Sequence, residues 1–207
     1  MRSLALAILL PGIALLPEPV VAQSFIASFV PQPDADEWKP ISKKEHFDVY
    51  VKRTFNVSVL AASGAAAAIS LGLDSPTEWG QSPSGYGKRL GNNVGRVVMR
   101  STMEYGFATL LKEDTRYIAS RKTGTMARLK YALISTYVVR NSQGHGRFAF
   151  SRLIANGGTS ALSRYWYPPS WQGGDQIAGD VGIISAIQAG YNVAREFGPD
   201  IVRKLKH

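Results

Sequence analysis

The segment from Gly85 to Gly91 has the glycine and lysine content of a phosphate-binding loop. A P-loop has the pattern GxxxxGK[ST], but here Ser82 stands at the first glycine and Arg89 follows Lys88 where Ser or Thr is required. The dinucleotide pattern GxGxxG would need glycine at Leu90. We therefore expect no cofactor, and weak anion binding at a helix N-terminus stays open.

Catalytic patterns are sparse. Glu113 and Asp114 are adjacent, so they do not face each other, and Arg116 favours their ionised forms. We expect Asp114 to cap a turn or to pair with Arg116, and His145 to lie exposed in a glycine-rich turn. No G-x-S-x-G or S-x-x-K pattern occurs. The chain has no cysteine and only three histidines, which predicts neither a thiol nucleophile nor a metal site.

Positive charge is concentrated in residues 86–153, which carry 13 basic and 3 acidic residues, a net charge of +10. Such a field favours anionic partners, and a solvated basic face that only keeps the protein soluble is the alternative. No nucleic-acid-binding motif is present. The candidate anion-binding residues are Lys88, Arg89, Arg96, Arg100, Arg116, Arg121, Lys122, Arg128 and Lys130.

Small residues recur at every fourth position, which places them on one face of a helix. The series in the last helix is Ala178, Gly182, Ala186, Gly190, Ala194 and Gly198, and Gly87, Gly91 and Gly95 repeat the spacing. Glycine within a helix costs up to about 1 kcal/mol relative to alanine, so we expect these faces to allow close approach by another helix. A soluble bundle with tight crossings and a membrane-embedded bundle both fit, and homo-oligomers through these faces are a further expectation.

An aromatic turn made of Tyr165, Trp166, Tyr167 and Trp171 surrounds Pro168-Pro169. Its side chains could form an interfacial belt, a platform for stacking on sugars, or a lid over the end of the bundle.

Hydrophobic spacing predicts an all-α fold, a compact bundle of about five helices with glycine-zipper-like packing faces. In the second helix, Val94, Val97, Val98, Tyr105, Leu110 and Leu111 lie on one apolar face. The turn residues at 141–144 and the Gly198-Pro199 pair are expected to end the third and fifth helices. The predicted helices are 54–73, 88–111, 125–139, 151–167 and 176–197.

The sequence divides into three regions, two that precede the helical fold and one that forms it. Residues 1–22 have Arg2, an apolar stretch and a small-residue cleavage site ending at Ala22, which predicts a signal peptide. Residues 23–53 are rich in proline and charge and predict an irregular arm, with a short strand or a helix start near His46. Residues 54–207 form the helical domain.

The stretches Glu113–Tyr117 (EDTRY), Phe150–Ala161, Arg164–Pro169 and Glu196–His207 resemble a group of uncharacterised exported proteins of Gram-negative bacteria, acidobacteria among them. The resemblance covers roughly residues 105–207. The group often has proline at the position of Thr115. It has no established activity, so the resemblance implies export and membership only.

We therefore expect a non-enzymatic helical protein of the periplasm or cell envelope, structural or binding, which presents a basic face to an anionic membrane surface or envelope polymer. The alternative is an integral membrane helical bundle, such as a small pore or an assembly factor. The third hypothesis is a hydrolase that uses His145 or Asp114.

Overall fold

The computed structural model describes residues 38–120 and 122–205, and there the chain is mostly helical with one small sheet. Its α-helices are α1 (Lys43–Thr54), α2 (Val57–Gly72), α3 (Pro83–Leu111), α4 (Thr125–Ile134), α5 (Phe150–Ser163) and α6 (Gly174–Leu205). The strands are β1 (Glu113–Asp114), β2 (Val138–Asn141) and β3 (Gly146–Phe148), and the 3₁₀ turns are Thr77–Trp79, Arg164–Trp166 and Pro169–Trp171.

Polar side chains begin the first three helices. Ser42 and Glu45 form a capping box at the start of α1. Asn56 Oδ1 accepts a hydrogen bond from the Val59 amide at 3.0 Å and begins α2. Ser82 caps α3 in the same way, with Pro83 in the first turn, where a missing amide hydrogen does no harm.

The structure corrects several element boundaries. The expected irregular arm is helical over Lys43–Thr54, whereas the signal peptide 1–22 and the rest of the arm up to residue 37 lie outside the described residues. The third predicted helix stops at Ile134. The last helix continues through Gly198-Pro199 to Leu205, so this pair does not terminate it.

The predicted, mostly helical bundle is confirmed, and the structure adds to it a small antiparallel sheet of β1, β2 and β3 in that order. Glu113 pairs with Asn141, and Val139 pairs with Arg147. The expected turn at 141–144 connects β2 to β3. There Asn141 Oδ1 accepts hydrogen bonds from the amides of Gln143 (2.9 Å) and His145 (3.0 Å), which closes the hairpin.

Helix α3 is the centre of the bundle. It packs against α1, α2 and α5, while α6 packs against α4 and α5. The sheet lies beside the C-terminal end of α3, because β1 follows that helix directly. Three helices, α1, α2 and α5, therefore surround α3.

The interior of this bundle is polar. The largest fully buried side chains include Arg89, Glu113, Asn156 and Thr159, and most buried hydrophobic residues are alanines. Large aliphatic side chains lie outside, since Leu60 is 57%, Leu110 is 76% and Ile183 is 62% exposed. This is the reverse of the usual distribution in water-soluble domains, where long charged side chains are almost never fully buried.

One described stretch, Lys43–Gly72, is long and apolar enough to cross a membrane, and 17% of its apolar window is buried inside the protein. It spans α1 and α2, with a break at Phe55 and Asn56. The exposed apolar side chains of α2 include Val57, Leu60 and Ile69.

Candidate functional site

The first polar junction joins α3 to α5 through Glu104. Its Oε1 accepts a hydrogen bond from Arg152 Nε at 3.2 Å, and its Oε2 accepts one from Arg100 Nη1 at 3.0 Å. Burial raises the pKa of Glu104, but the charges of Arg100, Arg152 and Arg53 outweigh it and lower the pKa overall. Glu104 is thus an ionised carboxylate inside the bundle.

A second junction holds α4 against α6 through Glu196. Arg128 Nε donates to Glu196 Oε1 at 2.8 Å, and the Tyr117 hydroxyl donates to Oε2 at 2.6 Å. Arg128 also reaches Asp200 at 2.6 Å. Burial opposes ionisation of Glu196, but these hydrogen bonds lower its pKa, whereas burial and the Glu196 charge raise the pKa of Tyr117.

A third junction is built on Asp180 of α6. Its Oδ2 accepts hydrogen bonds from Arg164 and, at 2.8 Å, from Arg96 Nη2. The Tyr167 hydroxyl accepts from Arg96 Nη1 at 3.2 Å and from Asn92 Nδ2 at 2.8 Å. The aromatic turn is therefore fixed to α3 and α6.

The adjacent carboxylates of β1 have separate structural tasks. Glu113 accepts hydrogen bonds from the amides of Phe150 (3.2 Å) and Ser151 (3.1 Å), so it caps α5 from outside the helix. Asp114 pairs with Arg116 at 2.7 Å, which confirms the predicted pairing. Burial opposes ionisation of Asp114, but the hydrogen bonds from Arg116 and Trp38 lower its pKa.

The aromatic turn and the start of α3 enclose a groove of about 570 Å³, the aromatic groove, lined by Trp79, Lys88, Gly91, Asn92, Gly95 and Trp166. A Cβ added to Gly91 or Gly95 would meet no atom within 4 Å, so the floor of the groove has no side chains. Trp166 Nε1 donates to Asn92 Oδ1 at 3.0 Å, which holds one wall in place. Members of three predicted sets thus line this groove: Lys88 of the basic residues, Gly91 and Gly95 of the glycine series, and Trp166 of the aromatic turn.

Most predicted anion-binding arginines are engaged inside the protein instead. Arg89 is 1% exposed and donates to the carbonyl oxygens of Gly80 (2.6 Å) and Pro76 (2.7 Å), so the expectation of a surface anion site there is wrong. Arg96, Arg100, Arg116 and Arg128 are held by the carboxylates described above. Lys88, Lys122 and Lys130 are exposed, and Arg121 lies outside the described residues.

Within the described part of the chain, open space surrounds most glycines of the small-residue faces, and their packing against another helix stays a prediction. No neighbouring heavy atom lies within 4 Å of a Cβ placed on Gly87, Gly182 or Gly190. The other small residues of the α6 series, namely Ala178, Ala186, Ala194 and Gly198, follow the same spacing, and Ala178 and Ala186 are exposed. Two glycines outside these series are tightly packed: Gly85 against the carbonyls of Trp79 and Gly80, and Gly158 against the side chain of Met103.

Neither described histidine lies in a catalytic arrangement. His145 is exposed in the hairpin turn. His46 is buried, with Nδ1 3.2 Å from Thr109 Oγ1, and burial lowers its pKa. Among residues 38–120 and 122–205 there is no group of three or more His, Cys, Asp or Glu side chains that could hold a metal ion.

Sequence reasoning did not find the partners Arg152, Arg164 and Glu196. One signal was present, because Arg89, Asn92, Arg96, Arg100 and Glu104 recur at helical spacing along one face of α3. That polar face, rather than the apolar face with Leu110, points into the bundle.

No protein-family model, curated protein or solved structure matches this chain. The resemblance to exported Gram-negative proteins therefore stays a prediction.

Proposed function

We propose that this chain is a non-enzymatic, structural helical protein of the bacterial cell envelope, attached to a lipid bilayer through apolar outer faces of its helices. The observation that carries the proposal is the inverted distribution of side chains, with ion pairs inside and large aliphatic residues outside. Export rests on the N-terminal sequence pattern of residues 1–22.

The apolar exterior supports lipid contact because it is extensive and runs over several helices. Exposed aliphatic residues include Leu60 on α2, Leu153 and Leu162 on α5, and Ile183 and Ile187 on α6. Large apolar patches are rare on soluble monomers and mark interaction or membrane surfaces.

The polar interior supports the same proposal. In lipid, apolar side chains gain nothing by moving inward, and small residues, hydrogen bonds and ion pairs hold helices together instead. Charged side chains near a bilayer face the bundle interior and pair with each other. Asp180 between Arg96 and Arg164 is an example.

The same contacts argue against attachment through a basic face alone. Arginines that bond to internal carboxylates and carbonyls have few donors left for an anionic surface. The exposed lysines Lys88, Lys122 and Lys130 provide a smaller charge that assists binding to anionic lipid.

Washing of membranes tests the attachment. The full chain is expressed in its native host, and the envelope is washed in turn with roughly 1 M salt, with alkaline carbonate and with detergent, which separates peripheral from apolar attachment. We expect the mature protein to stay in the membrane until detergent is added, because its contact is apolar. Release by salt would show attachment through charge and overturn the proposal.

The aromatic groove favours a second candidate function, the binding of an acidic glycan of the envelope. Trp79 and Trp166 offer faces for sugar rings, and Lys88 supplies a positive charge at the rim. The glycine floor leaves room for a ligand to lie against the helix backbone.

Tryptophan fluorescence tests this candidate with a uronic-acid oligosaccharide as the probe. We expect saturable quenching, and Lys88→Gln should weaken binding about five- to tenfold because it removes one charge contact. Lys122→Gln, an exposed lysine outside the groove, should leave the affinity unchanged. Equal effects of the two substitutions would contradict a site in the groove.

A further inference from the structure

Four arginines and one carboxylate converge where α1, α3, α5 and α6 meet, and together they form the arginine cluster. Its members are Arg53, Arg100, Glu104, Arg152 and Arg195. Four positive charges face one negative charge, so the cluster has an excess of three positive charges. Arg152 is buried, whereas Arg53, Arg100 and Arg195 are half-buried, so the excess lies at a partly desolvated junction of the helices, where unpaired charge is costly.

The single carboxylate is already fully used. Arg152 binds one oxygen of Glu104 and Arg100 binds the other. The carbonyl oxygen of Thr115 accepts a hydrogen bond from Arg152 Nη2 at 2.7 Å and one from Arg53 Nη1 at 3.2 Å. A neutral carbonyl cannot balance two guanidinium charges.

Arg195 donates no hydrogen bond to a carboxylate or a carbonyl oxygen of the described residues. Its Nε is buried without a hydrogen-bond partner among the described residues. Burial and the charge of Arg152 lower the pKa of Arg195, and burial and the charge of Arg195 lower the pKa of Arg53 to about 9. Both shifts reflect burial first and the charge of a neighbouring arginine second.

The next acidic residue on α6 does not fill this gap. Glu196 is held by Arg128 and Tyr117, and its Oε2 also accepts from the Ser120 amide at 3.0 Å. Its carboxylate therefore belongs to the junction with α4. Among the described residues no salt bridge joins a second carboxylate to the arginine cluster, so an anion from another molecule can balance its excess charge.

We propose that the arginine cluster binds a phosphoryl group with two negative charges, which enters beside Arg100. The side chain of Arg100 is 27% exposed, whereas that of Arg152 at the base is 4% exposed, so the cluster is open on the Arg100 side. Guanidinium groups match phosphate oxygens with paired N–H donors, and a dianion balances most of the excess charge.

Thermal unfolding of the full chain in phosphate-free detergent solution tests the site. Inorganic phosphate at saturating concentration should raise Tm by roughly 5 °C over chloride of equal ionic strength, because the anion binds only the folded state. Arg195→Met should raise Tm in the absence of phosphate, since it removes a half-buried charge whose Nε has no hydrogen-bond partner among the described residues, and should abolish the increase caused by phosphate.

Arg203→Met is the matched control, because Arg203 lies on the same helix but is 74% exposed and pairs with Asp200. This variant should keep the full response to phosphate. The proposal is overturned if neither inorganic phosphate nor phosphatidic acid raises Tm beyond its control, or if Arg195→Met and Arg203→Met respond alike.

Lipid headgroups and free phosphate supply the same chemistry, so a second arm separates them. Phosphatidic acid in phosphatidylcholine vesicles is compared with phosphatidylcholine alone and with inorganic phosphate. A response to phosphatidic acid alone assigns a lipid headgroup, and a response to inorganic phosphate assigns a soluble ligand. Membrane retention in the washing experiment does not depend on Arg195, so the two proposals fail independently.

Discussion

At the scale of single residues, neighbouring cations on α3 have opposite roles. Lys88 is exposed at the aromatic groove, whereas Arg89 is buried and donates to carbonyl oxygens of the loop before α3, including Ser75 at 3.1 Å, and to that of Gly85 at 3.2 Å. Arg89 thus holds this loop against the helix.

We expect Arg89→Met to lower the free energy of unfolding by about 3 kcal/mol or more, because it leaves several buried carbonyl groups without donors. Lys88→Met should change it by less than about 0.5 kcal/mol. Urea unfolding monitored by circular dichroism measures both. Similar values for the two variants would contradict the role assigned to Arg89.

Stability should fall as the pH is lowered. The pKa values of Glu104, Asp114 and Glu196 are lowered in the folded protein, so their contribution is complete above their unfolded values of 4.5, 3.8 and 4.5 and is lost as the pH falls through the folded values. The lowered pKa of His46 acts in the same direction below its unfolded value of 6.5.

Urea unfolding at pH 7, 5.5, 4 and 3, in roughly equal ionic strength throughout, measures this dependence. Glu196→Gln should flatten the decrease below pH 4.5. His46→Gln should leave that part of the profile unchanged. A free energy of unfolding that rises between pH 5.5 and pH 4 would contradict the assigned pairs.

At the scale of elements, the sequence predicts where the helices lie better than it predicts which face of each helix is buried. The spacing in α3 predicts a helix with one apolar face, but Leu110 on that face is 76% exposed. Both faces of α3 repeat with helical spacing, so the period alone does not tell which one is buried. The partners that decide it, Arg152 and Asp180, lie 48 and 84 residues away from Glu104 and Arg96.

The glycines also show that the spacing of residues in a sequence does not reveal which atoms surround each of them. Gly190 has open space around its Cβ position, so Gly190→Leu should stabilise the isolated chain by up to about 1 kcal/mol through helix propensity. Gly85→Ala should cost about 1–3 kcal/mol, because the added methyl group meets the carbonyls of Gly80 and Trp79.

Chemical unfolding of both variants in dilute detergent measures these effects. If copies of the chain pair through α6, Gly190→Leu should also reduce cross-linked dimers in the membrane. A large loss of stability of the isolated chain in Gly190→Leu would contradict the open face on α6.

At the scale of the whole molecule, the inverted distribution of side chains means that the stability and solubility of the fold depend on the surrounding medium. In water, the exposed aliphatic faces of α2, α5 and α6 would favour aggregation, whereas lipid removes that penalty. The polar junctions stabilise the fold in either medium, because their hydrogen bonds are internal. Sequence composition could not show this, since the counts of apolar and charged residues are the same for either arrangement.

Charges placed on the apolar surface should therefore affect membrane attachment rather than folding. Ile183 and Ile187 are 62% and 56% exposed on α6, so Ile183→Glu with Ile187→Glu removes little internal packing. In lipid each carboxylate costs about 2–3 kcal/mol near the bilayer centre. We expect a normal helical spectrum but a large decrease in the fraction that floats with vesicles.

The matched control places two carboxylates outside the apolar faces, as Ser142→Glu with Gln143→Glu in the β2–β3 turn, where both side chains are exposed. This variant has the same net charge as the first, so any general repulsion from the vesicles is equal in the two. It should float like the unmodified chain, because Ser142 and Gln143 are exposed polar residues outside the apolar faces. If both double variants lose flotation equally, net charge governs attachment. If only the α6 variant loses it, the apolar outer face is what holds the protein to the bilayer.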